Sequence, residues 1–538
     1  MLDQSKNPRA GLPTEPGKGL VCTGIPGLDE VLRGGVRKNN IVLVEGAPGT
    51  GKTTLGLEFI YRGAKDHGEP GLIISFELSA EKLLHDCESF GWDFATLQKQ
   101  GLVKMIFTSP SVVLEELQSP DGVLASEIKA LGAKRIMIDG LAPLRIFGDV
   151  QNRRPFRDSL HLLVESLQRY GVTAMVTNEI STNGVEPRDS GNHERFVCDT
   201  IFTLSTRKNR RQMYRTLEVT KSRGQNYIAG QHTMRIIEGQ GVRVYRRTQS
   251  RPFAHSNQPT STNRLDIGVP ALNKILGGGL YEGSITLSVG ISGMGKTVLS
   301  SHFLMMGVEK GEAGLIVTLD EHPAQIQRNS DSIGIPLSKA VKDGKLLIQY
   351  DSPLELELDV HFFEIIQLIE EHKIKRVVLD SIAAYVAANR EESMDFIYAL
   401  ASYFKQNLIT AIFNYESPEL LGVSQISENI KASHIVDNII LLNYVEISTK
   451  IRRAITVPKA RGSKNISLTR EFVIGQGGIS LLDEESGDAA NVEEVPQLPF
   501  SSYYGILARS PARHSPVIDE KLAHGEGLGS STKMNKVQ

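Results

Sequence analysis

The stretch GAPGTGKT at residues 46–53 decides the fold of this chain, and a second copy, GISGMGKT, occupies residues 290–297. Both copies fit the phosphate-loop pattern G-x-x-x-x-G-K-T without a mismatch. An apolar, strand-like run precedes each loop at 41–44 and 284–287, and a helix-like run follows each at 55–61 and 299–306. Two matches with the same flanks predict two nucleotide sites in one chain.

The chemistry of such a loop follows from its residue types. Glycines let successive backbone N–H groups turn inward and hold phosphate oxygens beside the positive end of the next helix. Lysine is expected to reach the β- and γ-phosphates, and the threonine hydroxyl to bind magnesium, so we predict a nucleoside triphosphate with Mg²⁺. The predicted nucleotide-binding residues are Gly46, Gly49, Gly51, Lys52, Thr53 and Thr54 in the first loop, and Gly290, Gly293, Gly295, Lys296, Thr297 and Val298 in the second.

The duplication extends well beyond the two loops. GIPGLDEVL (24–32) parallels GVPALNKIL (268–276), and each precedes its loop by the same interval. Further parallels are GEPGLIISFEL (68–78) with GEAGLIVTLDE (311–321), AKRIMIDGLAPL (133–144) with IKRVVLDSIAAY (374–385), GVTAMVTNE (171–179) with LITAIFNYE (408–416), and TLEVTKSRG (216–224) with AITVPKARG (454–462). Apolar runs alternating with amphipathic stretches predict an α/β fold, with a mostly parallel sheet flanked by helices in each copy.

The repeat predicts two domains, at 19–245 and 264–483. The polar segment 246–263 has two prolines and no periodicity, so we expect it to link them. Residues 1–18 are expected to form a flexible arm. The stretch 484–538 is first acidic and then rich in Ser, Pro and Gly, which predicts a largely disordered tail.

Composition narrows the class of protein. The chain has 538 residues, a formal net charge of −2 and 40% apolar residues, which is ordinary for globular domains. The charge disfavours nucleic acid as the main partner, and no apolar run approaches the length of a membrane span, so we expect a cytoplasmic protein. Cys22, Cys87 and Cys198 are scattered, which disfavours a disulfide framework or zinc site. The basic run 206–211 is interpreted as a solvated hairpin tip.

Carboxylates follow two strand-like runs in each copy. Asp139 and Asp380 end the runs 135–138 and 376–379, where a carboxylate is expected to help hold Mg²⁺ beside the phosphate loop. Glu77, Asp320 and Glu321 lie at the tips of the runs 72–76 and 315–319. A carboxylate there is expected to polarise the water or hydroxyl that attacks the γ-phosphate.

A K-x-R-G motif follows a late strand in each copy. It places Lys221 and Arg223 in the first copy, and Lys459 and Arg461 in the second. These cations are too far along the chain to belong to the loop itself, and they are predicted to complete the γ-phosphate site of a neighbouring subunit.

These features resemble the KaiC family of circadian-clock ATPases and autokinases. The fused modules, the paired loops, the K-x-R-G motifs and HIVDNIILLNYVEI (434–447) carry the resemblance, which runs in register through both halves. It implies tandem RecA-like domains and ATP with Mg²⁺ as cofactors. It also implies a double-ring homo-hexamer with nucleotide between subunits, in which the first domain mainly hydrolyses ATP and the second also phosphorylates its own chain.

The family motifs fall on the residues identified above, with differences. The family's pair of strand-tip glutamates falls on Glu77-Leu78 and on Asp320-Glu321. The family's phosphorylated Ser-Thr pair falls on Ser433-His434, which leaves Ser433 as the predicted phosphoacceptor. The resemblance therefore predicts an oligomeric clock or signalling switch with serine/threonine autokinase activity in the second domain.

Two alternatives remain from the sequence. A RecA- or RadA-like DNA-dependent ATPase would use the same fold, although the near-neutral charge and the lack of an added DNA-binding domain disfavour it. An ATP-binding signalling platform without kinase activity would present its surface to a histidine kinase or response regulator. Clock or two-component signalling proteins are accordingly the expected partners, rather than nucleic acid or a membrane.

Overall fold

A computed structural model of the chain describes twelve segments. They are residues 19–76, 80–118, 122–143, 156–180, 193–209, 212–248, 259–353, 356–388, 390–417, 435–447, 450–463 and 469–482. The predicted arm (1–18) and tail (484–538) lie outside these segments.

The first half of the chain alternates strands and helices. Its strands are β1 (Leu20–Val21), β2 (Val36–Arg37), β3 (Ile41–Gly46), β4 (Gly71–Ser75), β5 (Val103–Phe107), β6 (Arg135–Asp139), β7 (Thr173–Glu179), β8 (Thr200–Asn209), β9 (Gln212–Ser222), β10 (Gln231–Ile237) and β11 (Gly241–Tyr245). Its helices are α1 (Leu28–Val31), α2 (Lys52–His67), α3 (Ala80–Glu88), α4 (Phe94–Lys99), α5 (Pro110–Gln118), α6 (Val123–Leu131), α7 (Phe156–Arg169) and α8 (His193–Val197).

The second half repeats the pattern. Its strands are β12 (Arg264–Leu265), β13 (Leu280–Tyr281), β14 (Ile285–Gly290), β15 (Gly314–Thr318), β16 (Leu346–Tyr350), β17 (Arg376–Asp380), β18 (Thr410–Glu416), β19 (Asn438–Ile447), β20 (Lys450–Ala460), β21 (Thr469–Gly475) and β22 (Gly478–Leu481). Its helices are α9 (Pro270–Ile275), α10 (Lys296–Glu309), α11 (Pro323–Ser332), α12 (Leu337–Lys342), α13 (Leu358–His372), α14 (Ile382–Ala388) and α15 (Arg390–Gln406).

Within the described residues each half forms a nine-stranded sheet, and the two sheets have the same strand order. The first order is β11-β10-β9-β8-β3-β7-β6-β4-β5, and the second is β22-β21-β20-β19-β14-β18-β17-β15-β16. The strands from β8 to β5 pair in parallel, while β9, β10 and β11 add an antiparallel edge. The predicted pair of RecA-like α/β domains is confirmed, and the antiparallel edge is a feature that the sequence patterns did not predict.

The central strands are buried on both faces, which explains their unbroken apolar runs. Every residue of β3 is buried. Val42 and Val44 belong to the core on one face of the sheet, and Ile41 and Leu43 to the core on the other. Helix α2 packs on the first of these two faces. This packing fixes the start of the helix and the position of the phosphate loop that precedes it. No helix in the described segments is long and apolar enough to span a membrane.

The two halves contact each other through α13 and the edge of the first sheet. Arg235 on β10 forms an ion pair with Glu357 at 2.8 Å, just before α13 begins. The carboxylate of Asp359 accepts hydrogen bonds from the Thr248 backbone N–H at 2.7 Å and from the Thr233 hydroxyl at 3.1 Å. The start of the predicted linker is therefore tied to the second half by polar contacts.

Candidate functional site: two phosphate loops

Each phosphate loop lies at the carboxyl end of the central strand of its sheet. Gly49 and Gly293 have φ of 77°, and Gly51 and Gly295 have φ of 100° and 103°. Side chains rarely adopt this left-handed region, so glycine is required at these four positions. The two copies of the motif therefore fold into the same loop.

The remaining predicted loop residues occupy the flanking elements. Gly46 and Gly290 end β3 and β14, and Thr54 and Val298 lie in the first turn of α2 and α10. A Cβ atom at Gly46 would lie only 2.5 Å from the backbone oxygen of Leu204, so the strand and the loop are closely packed here.

The loop lysines reach back over their own loops. Lys52 Nζ donates to the backbone oxygens of Gly46 and Ala47, at 2.9 Å each. Lys296 makes the equivalent pair of hydrogen bonds at 2.9 and 2.8 Å. Each ammonium group therefore lies over the concave side of its loop, where phosphate oxygens bind in proteins with this motif.

The charges around Lys296 suit an anion accompanied by a cation. Burial lowers the pKa of Lys296, and the nearby carboxylates of Glu416, Asp380 and Glu321 oppose that change. A buried ammonium group and three carboxylates in one place are the charges expected around a magnesium–phosphate ligand.

The predicted magnesium residues lie together in both halves. The Thr53 hydroxyl donates to Asp139 at 3.0 Å, and the Thr297 hydroxyl donates to Asp380 at 2.8 Å. Burial raises the pKa of both aspartates. A hydroxyl beside a carboxylate offers the oxygen ligands that Mg²⁺ prefers, so the residues present fit this ion.

Two further residues orient these aspartates, and the sequence motifs did not predict them. The Thr177 hydroxyl on β7 donates to Asp139 at 2.8 Å. The side chain of Asn414 on β18 hydrogen-bonds to Asp380 and favours its charged form. Thr177 and Asn414 occupy equivalent places in the repeats 171–179 and 408–416. A polar residue at the same place inside two apolar strands was the signal available in the sequence.

The strand-tip acids are described in the second half only, because Glu77 lies outside the described residues. Asp320 accepts a hydrogen bond from the Ser381 hydroxyl at 3.1 Å, next to Asp380. Burial, followed by the charges of Asp380 and Asp320, raises the pKa of Glu321. The structure therefore brings Asp320 and Glu321 together with Lys296 and with Asp380, the predicted magnesium ligand of the second half.

The late cations lie away from the loop of their own half. Lys221 lies opposite Ile201 on the neighbouring strand, and Ile201 lies opposite Leu43 on the next. Gly46 follows Leu43 by three residues, which is about 10 Å along the strand. Lys459 has the same register, through Ile439 and Leu287. These lysines therefore do not belong to the phosphate loop of their own sheet.

Each of these cations is instead held by the segment that enters β8 or β19. Lys221 Nζ donates to the backbone oxygens of Arg195 and Cys198 at 2.7 Å each, and Lys459 Nζ to that of Val436 at 2.8 Å. Arg223 and Arg461 lie 3.5 Å from Asp199 and Asp437.

The predicted phosphoacceptor, Ser433, lies outside the described residues, as does His434. The basic run at 206–211 ends β8 and precedes β9, so its described part belongs to a hairpin, as expected.

The doubled sheet order and the doubled loop define a tandem ATPase of the RecA-like class. A family profile described as "ATPase: KaiC" matches residues 21–249 and again 265–486. The chain therefore belongs to the KaiC family.

Individual relatives match nearly the whole length. The chain is 31% identical over 515 residues to the circadian clock oscillator protein KaiC of Picosynechococcus sp., covering 93% of each chain. It is 30% identical to the circadian clock protein KaiC3 of Synechocystis sp., covering 93% of this chain and 97% of that protein. It is also 30% identical to KaiC2 of the same organism, covering 87% of this chain and 82% of that protein.

Proposed function

We propose that this KaiC-family protein is a homo-hexameric double-ring ATPase whose second domain phosphorylates Ser433 of a neighbouring subunit. The observation that carries the proposal is the duplicated Thr–Asp pair at each phosphate loop, together with cations that lie away from the loop of their own half. A site that has its loop in one place and its cations in another is completed when two copies of the chain meet. Its cytoplasmic role would be that of a clock component or signalling switch.

Mg²⁺ and ATP would bind at both loops. Thr53 and Asp139 would hold the ion in the first domain, and Thr297 and Asp380 in the second. When bound, the ion would supply positive charge that offsets the negative charge of the phosphates. Lys52 and Lys296 would leave the carbonyl oxygens they now contact and bind the phosphates.

In the second domain we expect the strand-tip acids to accept a proton. Glu321 has a raised pKa and would accept the proton of the attacking hydroxyl, since a carboxylate with a higher pKa is a stronger base. Asp320 and Glu77 are the corresponding candidates at the strand tips. The acceptor would be Ser433 in kinase turnover and water in hydrolysis.

The segment that carries the acceptor is tied to the predicted trans cation. Lys459 donates to the backbone oxygen of Val436, three residues after Ser433 in the chain. The acceptor and a cation that approaches the neighbour's γ-phosphate would therefore reach the same nucleotide.

Intact-mass and peptide mass spectrometry after incubation with Mg-ATP tests the proposal. We expect phosphate on Ser433 of the wild-type chain, none in a Lys296→Ala control, and hexamers in native mass spectrometry. An unmodified chain that still forms ADP would refute the kinase activity and leave an ATPase switch. A monomer with no turnover would refute the shared site as well.

A further inference from the structure

The two domains differ in a row of three side chains near the carboxyl end of the central strands. The row crosses three neighbouring strands and is polar in the first domain, where it consists of Asn178, Glu45 and Thr203. The equivalent row in the second domain is Tyr415, Val289 and Leu441. A glutamate that is only 3% exposed is destabilising unless it has a partner of opposite charge.

Helix α8 supplies the partners of this row. Arg195 Nη2 lies 2.9 Å from Glu45 Oε1, and the Thr203 hydroxyl donates to the same oxygen at 2.8 Å. The side-chain amide of Asn178 donates to Glu194 at 3.1 Å. The guanidinium of Arg195 is thus aimed by a carboxylate that directly precedes Gly46, yet its side chain remains 39% exposed.

The surface around Arg195 is cationic and partly apolar. Lys221 and Arg223 donate to backbone oxygens of α8 and of the residue that follows it. Burial and the charge of Arg223 lower the pKa of Lys221, so positive charge is crowded here. Phe196, next to Arg195, is 73% exposed. Arg195 pairs with Glu45 and Arg223 lies 3.5 Å from Asp199, so part of the positive charge is offset within the chain. The three cations and the exposed ring still form a surface suited to another protein surface that carries an anion.

In the sequence repeat, Arg195 occupies the position equivalent to Ser433, the predicted phosphoacceptor. Asp199 accepts a hydrogen bond from the Ile41 backbone N–H at 3.1 Å, and Asp437 accepts one from Ile285 at 3.0 Å, so the two aspartates are equivalent. Counting back four residues from each aspartate reaches Arg195 and Ser433. The first domain therefore carries an arginine where the second carries the predicted phosphoacceptor.

We propose that Arg195 contacts the γ-phosphate held by the first phosphate loop of the neighbouring subunit, and that Glu45 positions its guanidinium. This inference rests on the proposed sharing of nucleotide between subunits. An arginine at the acceptor position stabilises charge on the transferring phosphoryl group but has no hydroxyl to receive it. The first domain would therefore hydrolyse ATP, while the second retains an acceptor at the same place.

The first test measures ATP hydrolysis in a Lys296→Ala background, which leaves the first domain as the source of turnover. Arg195→Met should lower kcat at least about tenfold with a smaller change in KM, because the contact strengthens as charge develops in the transition state. The double variant Glu45→Gln/Arg195→Met should remain as slow. If Arg195 only neutralises Glu45, the double variant will recover wild-type turnover, and this result would overturn the inference.

Mixed rings decide whether Arg195 acts between subunits. Arg195→Met and Lys52→Ala chains with different affinity tags are co-expressed. Rings that contain both variants are isolated by two successive affinity steps, one for each tag. At equal incorporation about one quarter of the interfaces combine an intact loop with an intact arginine from the neighbour, so we expect about one quarter of wild-type turnover. Rings of wild-type and Lys52→Ala chains serve as the control and should retain about half.

If mixed rings hydrolyse ATP no faster than rings of either single variant, Arg195 acts within its own subunit, and this result would overturn the inference. A wild-type chain that forms rings and hydrolyses ATP would still support the proposed function in that case. A wild-type chain that forms no rings would instead refute the proposed function. Trp92 fluorescence, from the single tryptophan of the chain, checks that each variant of the first domain is folded.

Discussion

Glu58 on α2 gives a quantitative prediction of how pH affects the stability of the first domain. Its carboxylate is fully buried, accepts a hydrogen bond from the Val242 N–H at 2.6 Å and pairs with Arg62 at 3.2 Å. Burial nevertheless raises its pKa from the ordinary 4.5 to about 7. The folded chain therefore binds this proton more tightly than the unfolded chain does.

The sign of the effect follows from that difference. Between pH 4.5 and 7 the folded state holds a proton that the unfolded state has lost, so stability falls as pH rises and levels off above the folded pKa. From pH 5 to pH 8 the loss is about 2–3 kcal/mol. For a domain of this size the loss corresponds to about 5–10 °C in Tm.

The assay compares wild type with Glu58→Gln, which keeps the shape and the acceptor for Val242 but does not titrate. Trp92 is 3% exposed and lies beside the same hairpin, so its emission reports unfolding of the first domain. We expect the Tm of the variant to rise relative to that of wild type as the pH increases from 5 to 8. A Tm difference that stays constant over this range would contradict a raised pKa of Glu58 in the folded domain, whatever the sign of the difference at one pH.

Three further predictions concern the second domain and the junction. Asn414→Leu should lower ATP turnover or Ser433 phosphorylation about tenfold or more without abolishing nucleotide binding, because Asp380 loses a group that orients it. The control variant Asn414→Asp keeps a hydrogen-bond acceptor but lacks the amide donor, so it should not restore the rate. Arg376→Met should destabilise the second domain by about 3–5 kcal/mol, since this buried arginine pairs with Glu312 at 2.6 Å and bonds two backbone oxygens. Calorimetry should show the full loss in the transition of the second domain, and the Trp92 transition of the first domain should shift less. Equal shifts of both transitions would contradict a loss that is confined to the second domain. Arg235→Gln should weaken the contact between the two domains by about 1 kcal/mol, so that their calorimetric transitions move apart. An unchanged calorimetric trace would mean that the ion pair between Arg235 and Glu357 does not contribute to this contact.

The parts of the fold that the sequence predicted are those encoded locally. Glycine is needed at Gly51 and Gly295 because their backbone is left-handed, and the motif requires glycine there for the same reason. The strands before the loops were recognisable because a strand buried on both faces must be apolar throughout. Asp139 and Asp380 were recognisable because each ends such a strand, and the carboxyl ends of parallel strands share one edge.

What the sequence did not predict depends on contacts between distant parts of the chain. Thr177 and Asn414 perform the same orienting task with different side chains, so comparison of the two repeats alone gave no common residue type. The antiparallel edge strands β10 and β21 carry mixed burial and lack a clean alternation, so their pairing became clear only in three dimensions. The bond between Arg235 and Glu357 joins residues more than a hundred positions apart, and no local pattern signals it.

Both sheets have the same strand order, so the proposed difference in function between the two domains has to lie in side chains at matched positions. The Thr–Asp pairs and the loop lysines make the same contacts in both domains, so the proposed nucleotide binding applies to both. Val289 and Ser433 stand at the positions of Glu45 and Arg195, and these two differences are linked, because the buried glutamate would lose its partner of opposite charge without the arginine. To give the first domain a serine at position 195 without loss of stability, both Glu45 and Arg195 therefore have to be changed. A single Arg195→Ser substitution should accordingly destabilise the first domain, whereas Glu45→Val/Arg195→Ser should restore its stability, as measured by the Trp92 unfolding transition.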